Sequence, residues 1–129
     1  MMPARLVFDT DVLVDFLRGR TEAASFLRER TEALLLCSVT VAELFAGVRE
    51  GRERTALNAL LGAFEILPVD RAVAERGGLY RREFGRSHGT GLADALVAAA
   101  SESIGARLVT LNARHFPMLT DLLIPYTKS

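Results

Sequence analysis

The chain opens on an apolar run, Leu6-Val7-Phe8, that stops at Asp9, and apolar residues then return at helical spacing at Val12, Leu13, Phe16 and Leu17. A short unbroken apolar run suits a strand buried on both faces, whereas spacing of three to four suits a helix packed along one stripe. The pattern therefore predicts a strand over 5–9 and a helix directly after it. Arg18-Gly19-Arg20 breaks the pattern, and Thr21 is placed to cap a second helix running to about Glu29. Residues 33–39 predict a second strand. Thr40 and Glu43 have the spacing of a capping box that leads into a helix carrying Val41, Leu44, Phe45 and Val48.

Leu57, Leu60 and Leu61 predict another helix, and Phe64 to Val69 alternates as a short strand does. Asp70 then caps a helix carrying Val73, Leu79 and Tyr80, in which Gly77-Gly78 predicts a bend or close packing. Residues 85–91, with three glycines, predict a loop. An alanine-rich buried helix is predicted from Leu92, a strand over Arg107 to Leu111 stopping at Asn112, and a last edge strand at Leu122 to Ile124 before Pro125. Strands alternating with helices imply the α/β class: a parallel sheet of four to five strands flanked by helices on both faces. A length of 129 residues predicts a single domain, 1–129, with its core over about 5–126.

Composition narrows the functional classes. Half the residues are apolar and a quarter charged, as in a compact globular protein. Sixteen basic and sixteen acidic residues cancel, so no overall positive field draws the chain to nucleic acid or to an anionic membrane, and any such contact is local. The basic residues are arginines apart from Lys128 in the tail, and arginine's planar fork suits phosphate. Cys37 is the only cysteine, which excludes an internal disulfide and points to a reducing compartment. The first four residues lack the layout of a signal peptide, and no apolar run is long enough to span a membrane. The expectation is a cytoplasmic protein.

Four polar residues stand at the ends of predicted elements: Asp9 after the first strand, Glu43 and Asp94 in first turns of helices, and Asn112 after a strand. Each acid alone is also explained by helix capping or the helix dipole. Asp94 is set among Leu92, Ala93, Ala95, Leu96 and Val97, where an unpaired buried carboxylate is costly. A divalent cation shared by Asp9, Glu43 and Asp94 meets that need, and an all-oxygen site suits Mg²⁺ or Mn²⁺. Arginine is the competing partner.

Four blocks, Leu6-Val7-Phe8-Asp9-Thr10-Asp11-Val12-Leu13, Ser38-Val39-Thr40-Val41-Ala42-Glu43-Leu44, Gly91-Leu92-Ala93-Asp94-Ala95-Leu96-Val97-Ala98 and Thr110-Leu111-Asn112-Ala113-Arg114-His115-Phe116, together resemble the PIN-domain family, most closely its VapC-type toxins. The resemblance runs from about Arg5 to Tyr126, with the blocks in order. It implies a PIN fold whose acidic pocket holds Mg²⁺ or Mn²⁺ through Asp9, Glu43 and Asp94 and hydrolyses RNA, with Thr10 and Thr110 lining the pocket. The last block often carries a fourth acid in the family. This chain has Asn112 and His115 there, with Asp11 and Asp121 as substitutes. Asn112 is retained as a candidate catalytic residue. Arg114, with Arg81, Arg82 and Arg86, is a candidate for RNA backbone contacts, and His88 and His115 are candidates for proton transfer.

The resemblance also implies a homodimer and a cognate VapB-like antitoxin that covers the site with a basic side chain. Phe16, Phe26, Leu44 and Phe45 are apolar beyond what one thin layer needs and are candidates for such an interface. Two alternatives stand beside this reading. A degenerate PIN domain binds RNA or a partner without cleaving. A haloacid-dehalogenase-like phosphatase uses Asp9 of Asp9-Thr10-Asp11 as nucleophile, but that chemistry needs a lysine late in the sheet, where Lys128 is badly placed.

Overall fold

The apolar runs do form strands, and their neighbours in the sheet decide where the acids go. In the computed structural model, which describes residues 4–127, the elements are β1 (Arg5–Phe8), α1 (Thr10–Leu17), α2 (Thr21–Arg28), β2 (Ala33–Cys37), α3 (Ser38–Gly47), α4 (Arg52–Leu61), β3 (Glu65–Leu67), α5 (Arg71–His88), α6 (Leu92–Ser103), β4 (Arg107–Val109), a single 3-10 turn (Ala113–His115) and β5 (Leu122–Leu123). Lys128 lies outside the described residues. The strands make one parallel sheet in the order β3-β2-β1-β4-β5.

Side chains alternate across this sheet as the two-residue period of a strand requires. Val7, Leu35, Cys37 and Leu108 pack with α5 and α6 on one face; Leu6, Phe8, Leu36 and Val109 pack with Val12, Leu13, Leu44 and Leu57 on the other. Helices thus cover both faces, and the central strand β1 is buried on both sides. From β1 the chain steps to β2 and β3 on one side, then crosses to β4 and β5 on the other. The strand order reverses between β1 and β4, where the carboxyl ends of the strands leave a crevice. Asp9 donates its backbone N–H to the Val109 carbonyl at 2.9 Å, so the residues following β1 and β4 lie side by side in that crevice.

Four local expectations are corrected. The second strand ends at Cys37 and α3 begins at Ser38, so Thr40 falls inside the helix and is fully buried, and Glu43 turns to Thr10 instead of closing a capping box. β1 and β4 stop at Phe8 and Val109, one and two residues early, because Asp9 and Thr110 turn into side-chain hydrogen bonds. Residues 85–88, expected in a loop, are the last turn of α5, and only Gly89, Thr90 and Gly91 join it to α6. Gly89 ends α5 with φ +66°, the left-handed conformation in which glycine escapes a steric penalty. Of the apolar residues proposed for an interface, Leu44 is core and Phe26 stacks edge-on against Phe8 at 5.9 Å, while Phe45 is exposed.

α5 runs unbroken through Gly77 and Gly78. A Cβ on Gly77 would lie 2.7 Å from Leu96 Cδ2 and 3.1 Å from Leu96 Cα, so this glycine is where α5 and α6 approach closely. Asp70 caps α5 by accepting from the Val73 N–H at 2.9 Å. No helix among the described residues is long and apolar enough to cross a membrane.

Candidate active site

Asp9 is the N-cap of α1, and its Oδ1 accepts from the Thr10 N–H at 2.8 Å. Its other oxygen accepts from the Thr110 hydroxyl, also at 2.8 Å, and the residue is 6% exposed. Capping therefore explains one oxygen and not the burial of the other. Burial pushes the Asp9 carboxyl up from 3.8 to about 7; the charges of Asp11 and Asp94 push the same way, while the hydrogen bonds from Thr110 and Thr10 oppose them. The charges that act on Asp9 most strongly are those of other carboxylates.

Around Asp9 the other sequence-derived residues form one polar arc. Thr10 Oγ1 donates to Glu43 Oε1 at 2.7 Å and brings the exposed Glu43 of α3 to the start of α1. On the other flank, the Asn112 N–H donates to Thr110 Oγ1 at 3.0 Å. The Asn112 side-chain amide meets His115 Nδ1 at 2.8 Å, and the same nitrogen stands 3.3 Å from Asp94 Oδ2. Asp94 Oδ2 also accepts from the Gly91 N–H at 3.2 Å, on the first turn of α6. Glu43, Thr10, Asp9, Thr110, Asn112, His115 and Asp94 are thus linked by consecutive polar contacts at the carboxyl edge of the sheet.

Asp11 has a different task. Its Oδ2 accepts from the Leu111 N–H at 3.1 Å and stands 3.5 Å from the Thr110 hydroxyl, joining α1 to the chain after β4. Asp121 is not in the arc; it pairs with Arg107 at 2.9 Å near the amino edge of the sheet. That edge holds a cavity of about 470 Å³ lined by Arg5, Glu32, Glu102, Arg107 and Asp121 among others, which shares no residue with the arc. Arg114 is exposed beside His115, and His88 makes an edge contact with Phe84 on α5. The sequence pattern did not reveal that His115 meets Asp94 and Asn112, nor that Thr90 is buried with its hydroxyl on the His115 carbonyl at 2.8 Å. The i to i+3 spacing of Asn112 and His115 was the available signal for the first contact.

The donor set suits a hard divalent cation by type: carboxylates, hydroxyls and an amide, around an Asp9 carboxyl raised to about 7 first by burial and then by the charges of Asp11 and Asp94. Among the described residues no three His, Cys, Asp or Glu side chains already stand in coordination geometry, so holding an ion requires the carboxylates to turn toward one point.

Comparison with known proteins agrees with this architecture. The model of the PIN domain family matches residues 6–119. Ribonuclease VapC10 of Mycobacterium tuberculosis is 36% identical over 124 residues, covering 94% of this chain and 92% of that protein. Ribonuclease VapC19 of the same organism is 40% identical over 124 residues, covering 93% and 98%. A chain of a toxin-antitoxin complex from Klebsiella pneumoniae superposes with a TM-score of 0.81 at 25% identity, covering 95% of this chain and 99% of that one.

Proposed function

The chain belongs to the PIN-domain family, and on that premise we propose that it is a divalent-metal-dependent endoribonuclease, the toxin of a toxin–antitoxin pair. The observation that carries this reading is the buried Asp9 carboxyl, held near neutrality and linked through hydroxyls, amide and imidazole to Glu43 and Asp94. The relatives named as VapC ribonucleases supply the substrate class, and the toxin-antitoxin complex supplies the class of partner, an antitoxin, VapB-like by analogy with the VapC relatives.

Asp9, Glu43 and Asp94 would hold Mg²⁺ or Mn²⁺. Such an ion, when bound, offers Lewis acidity and an activated water for attack on a phosphodiester. The protein's own part is positional. Thr110 and Thr10 fix the two oxygens of Asp9, Thr10 draws Glu43 inward, and on the opposite flank the Gly91 N–H binds Asp94 with the His115 ring beside it. With its carboxylates gathered, the pocket repels phosphate until their charge is neutralised, so RNA binding at the centre depends on the cation. The exposed Arg82, Arg86 and Arg114 grip the RNA backbone outside the pocket. Residues 1–129 act as one PIN-like unit, in the cytoplasm and as a homodimer.

The test is purified protein, free of antitoxin, incubated with total cellular RNA. Cleavage in Mg²⁺ or Mn²⁺ that disappears with a chelator and in Asp94→Asn is expected, with the mutant retaining its fold. RNA left intact across several pH values in both metals would overturn the proposal. Intact RNA that is nevertheless retained by the protein would support the second reading, a non-cleaving RNA-binding PIN domain, which Asn112 in the block where the family often has a fourth acid favours.

A further inference from the structure

Asp94 depends on remote support more than the other acids of the arc. Asp9 and the chain after β4 are fixed by strands at the centre of the sheet, whereas Asp94 sits at the start of α6, behind the three-residue corner Gly89-Thr90-Gly91 that joins it to α5. Two of those three residues are glycines, and Gly89 adopts a positive φ, so the backbone of the corner has little stiffness of its own. Its middle residue is the reverse of what an exposed corner calls for: Thr90 is 1% exposed, although it carries a hydroxyl.

The hydroxyl is satisfied across the fold. Thr90 Oγ1 donates to the carbonyl of His115 at 2.8 Å, tying the corner to the 3-10 turn 25 residues later. His115 Nδ1 lies 2.8 Å from the Asn112 side-chain amide and 3.3 Å from Asp94 Oδ2, its tautomer deciding which of the two it hydrogen-bonds, and its Nε2 faces Gly89 closely enough that a Cβ there would lie 3.5 Å from it. Thr90 therefore holds the backbone of the residue whose ring stands against Asp94, and the corner it belongs to supplies the Gly91 N–H that binds the same carboxylate oxygen.

We infer that Thr90 is a positioning residue of the metal site: through the His115 carbonyl it locks the α5–α6 corner to the 3-10 turn and so fixes the direction of the Asp94 carboxylate. The inference rests on the proposed metal-dependent activity. A hydroxyl that only filled space in the core would be replaceable by a methyl; one that orients a ligand's partner is not. Outer hydrogen bonds to metal ligands are typically worth about 10- to 100-fold in metal affinity or activity.

The experiment compares Thr90→Val, which keeps shape and loses the hydroxyl, with Thr90→Ser, which keeps the hydroxyl and loses a methyl. Mn²⁺ is titrated into each folded protein by calorimetry, and RNA cleavage is then measured at saturating Mn²⁺. Thr90→Val is expected to weaken Mn²⁺ binding about tenfold and to lower kcat while leaving KM for RNA nearly unchanged; Thr90→Ser is expected to restore both. Wild-type Mn²⁺ affinity and kcat in Thr90→Val would overturn the inference, as would equal losses in both variants. If Thr90→Val does not fold, Thr90→Ala takes its place in the same comparison with Thr90→Ser. A wild-type protein that binds Mn²⁺ but cuts no RNA would refute the proposed activity, and the Mn²⁺ titrations would still decide the role of Thr90.

Discussion

Asp9 makes the site costly for the fold as well as useful for chemistry. Raising its carboxyl from 3.8 to about 7 sets roughly 4 kcal/mol against the ionised form in the folded state. Between those two values the folded protein keeps a proton that the unfolded chain has released, so this group contributes a loss of stability as pH rises. The penalty is absent below the unfolded value and complete above the folded one. Metal-free Asp9→Asn is therefore expected to gain stability over the wild type by roughly 2–3 kcal/mol more at pH 8 than at pH 5. Urea unfolding in the presence of a chelator measures this, and parallel pH profiles for the two proteins would remove Asp9 as the cause. The position of Asp9 was legible in the sequence because a strand followed by a helix delivers its boundary residue to a sheet edge. The roles of His115 and Thr90 were less so: they rest on contacts that bring Asp94 and Thr90 to His115 from far along the chain, which no local periodicity displays.

Among the elements, α6 shows why composition predicts packing better than boundaries. Its alanines foretold a buried helix, and Ala95, Ala98, Ala99 and Ala100 are buried against α5 and the sheet. The glycine pair in α5 foretold a bend or close packing, and a close approach is made at Gly77, against the backbone of Leu96 as well as its side chain. Because backbone cannot swing away as a flexible side chain can, Gly77→Ala is expected to cost about 1–3 kcal/mol, despite alanine's better helix propensity, while Gly78→Ala, with open space around it, is expected to be neutral or stabilising. Thermal melts of the two variants read the difference, and equal melting temperatures would show that the helices slide to make room. Boundaries were less legible because they are set by tertiary hydrogen bonds. Nothing local says that residues 85–88 stay helical, nor that Thr40 lies within α3 rather than capping it.

For the whole molecule the balanced charge conceals an uneven distribution. α5 carries Arg71, Arg76, Arg81, Arg82 and Arg86 against Glu75 and Glu83, a net charge of +3, so the remainder of a neutral chain is negative by the same amount. Arg76 is engaged by Glu102 and Tyr80 at 3.4 and 3.2 Å, and the guanidinium of Arg81 lies across Gly85. Arg82 and Arg86, one helical turn apart, are exposed near the end of α5 that reaches the active-site arc through Gly89. Exposed cations thus stand on the helix whose end leads into the arc, and the proposed activity would use them to hold the RNA backbone while the scissile phosphate meets the acids. Single-stranded RNA releases about 0.7 counterions for each phosphate neutralised. In an Asp94→Asn background, where cutting is expected to be lost, Arg82→Gln with Arg86→Gln is expected to weaken the binding that remains outside the pocket at low salt and to reduce the slope of log K against log salt by about 1.4. Fluorescence anisotropy with a labelled single strand at several salt concentrations gives that slope, and a slope unchanged by the double substitution would assign the two arginines to solvent rather than to RNA.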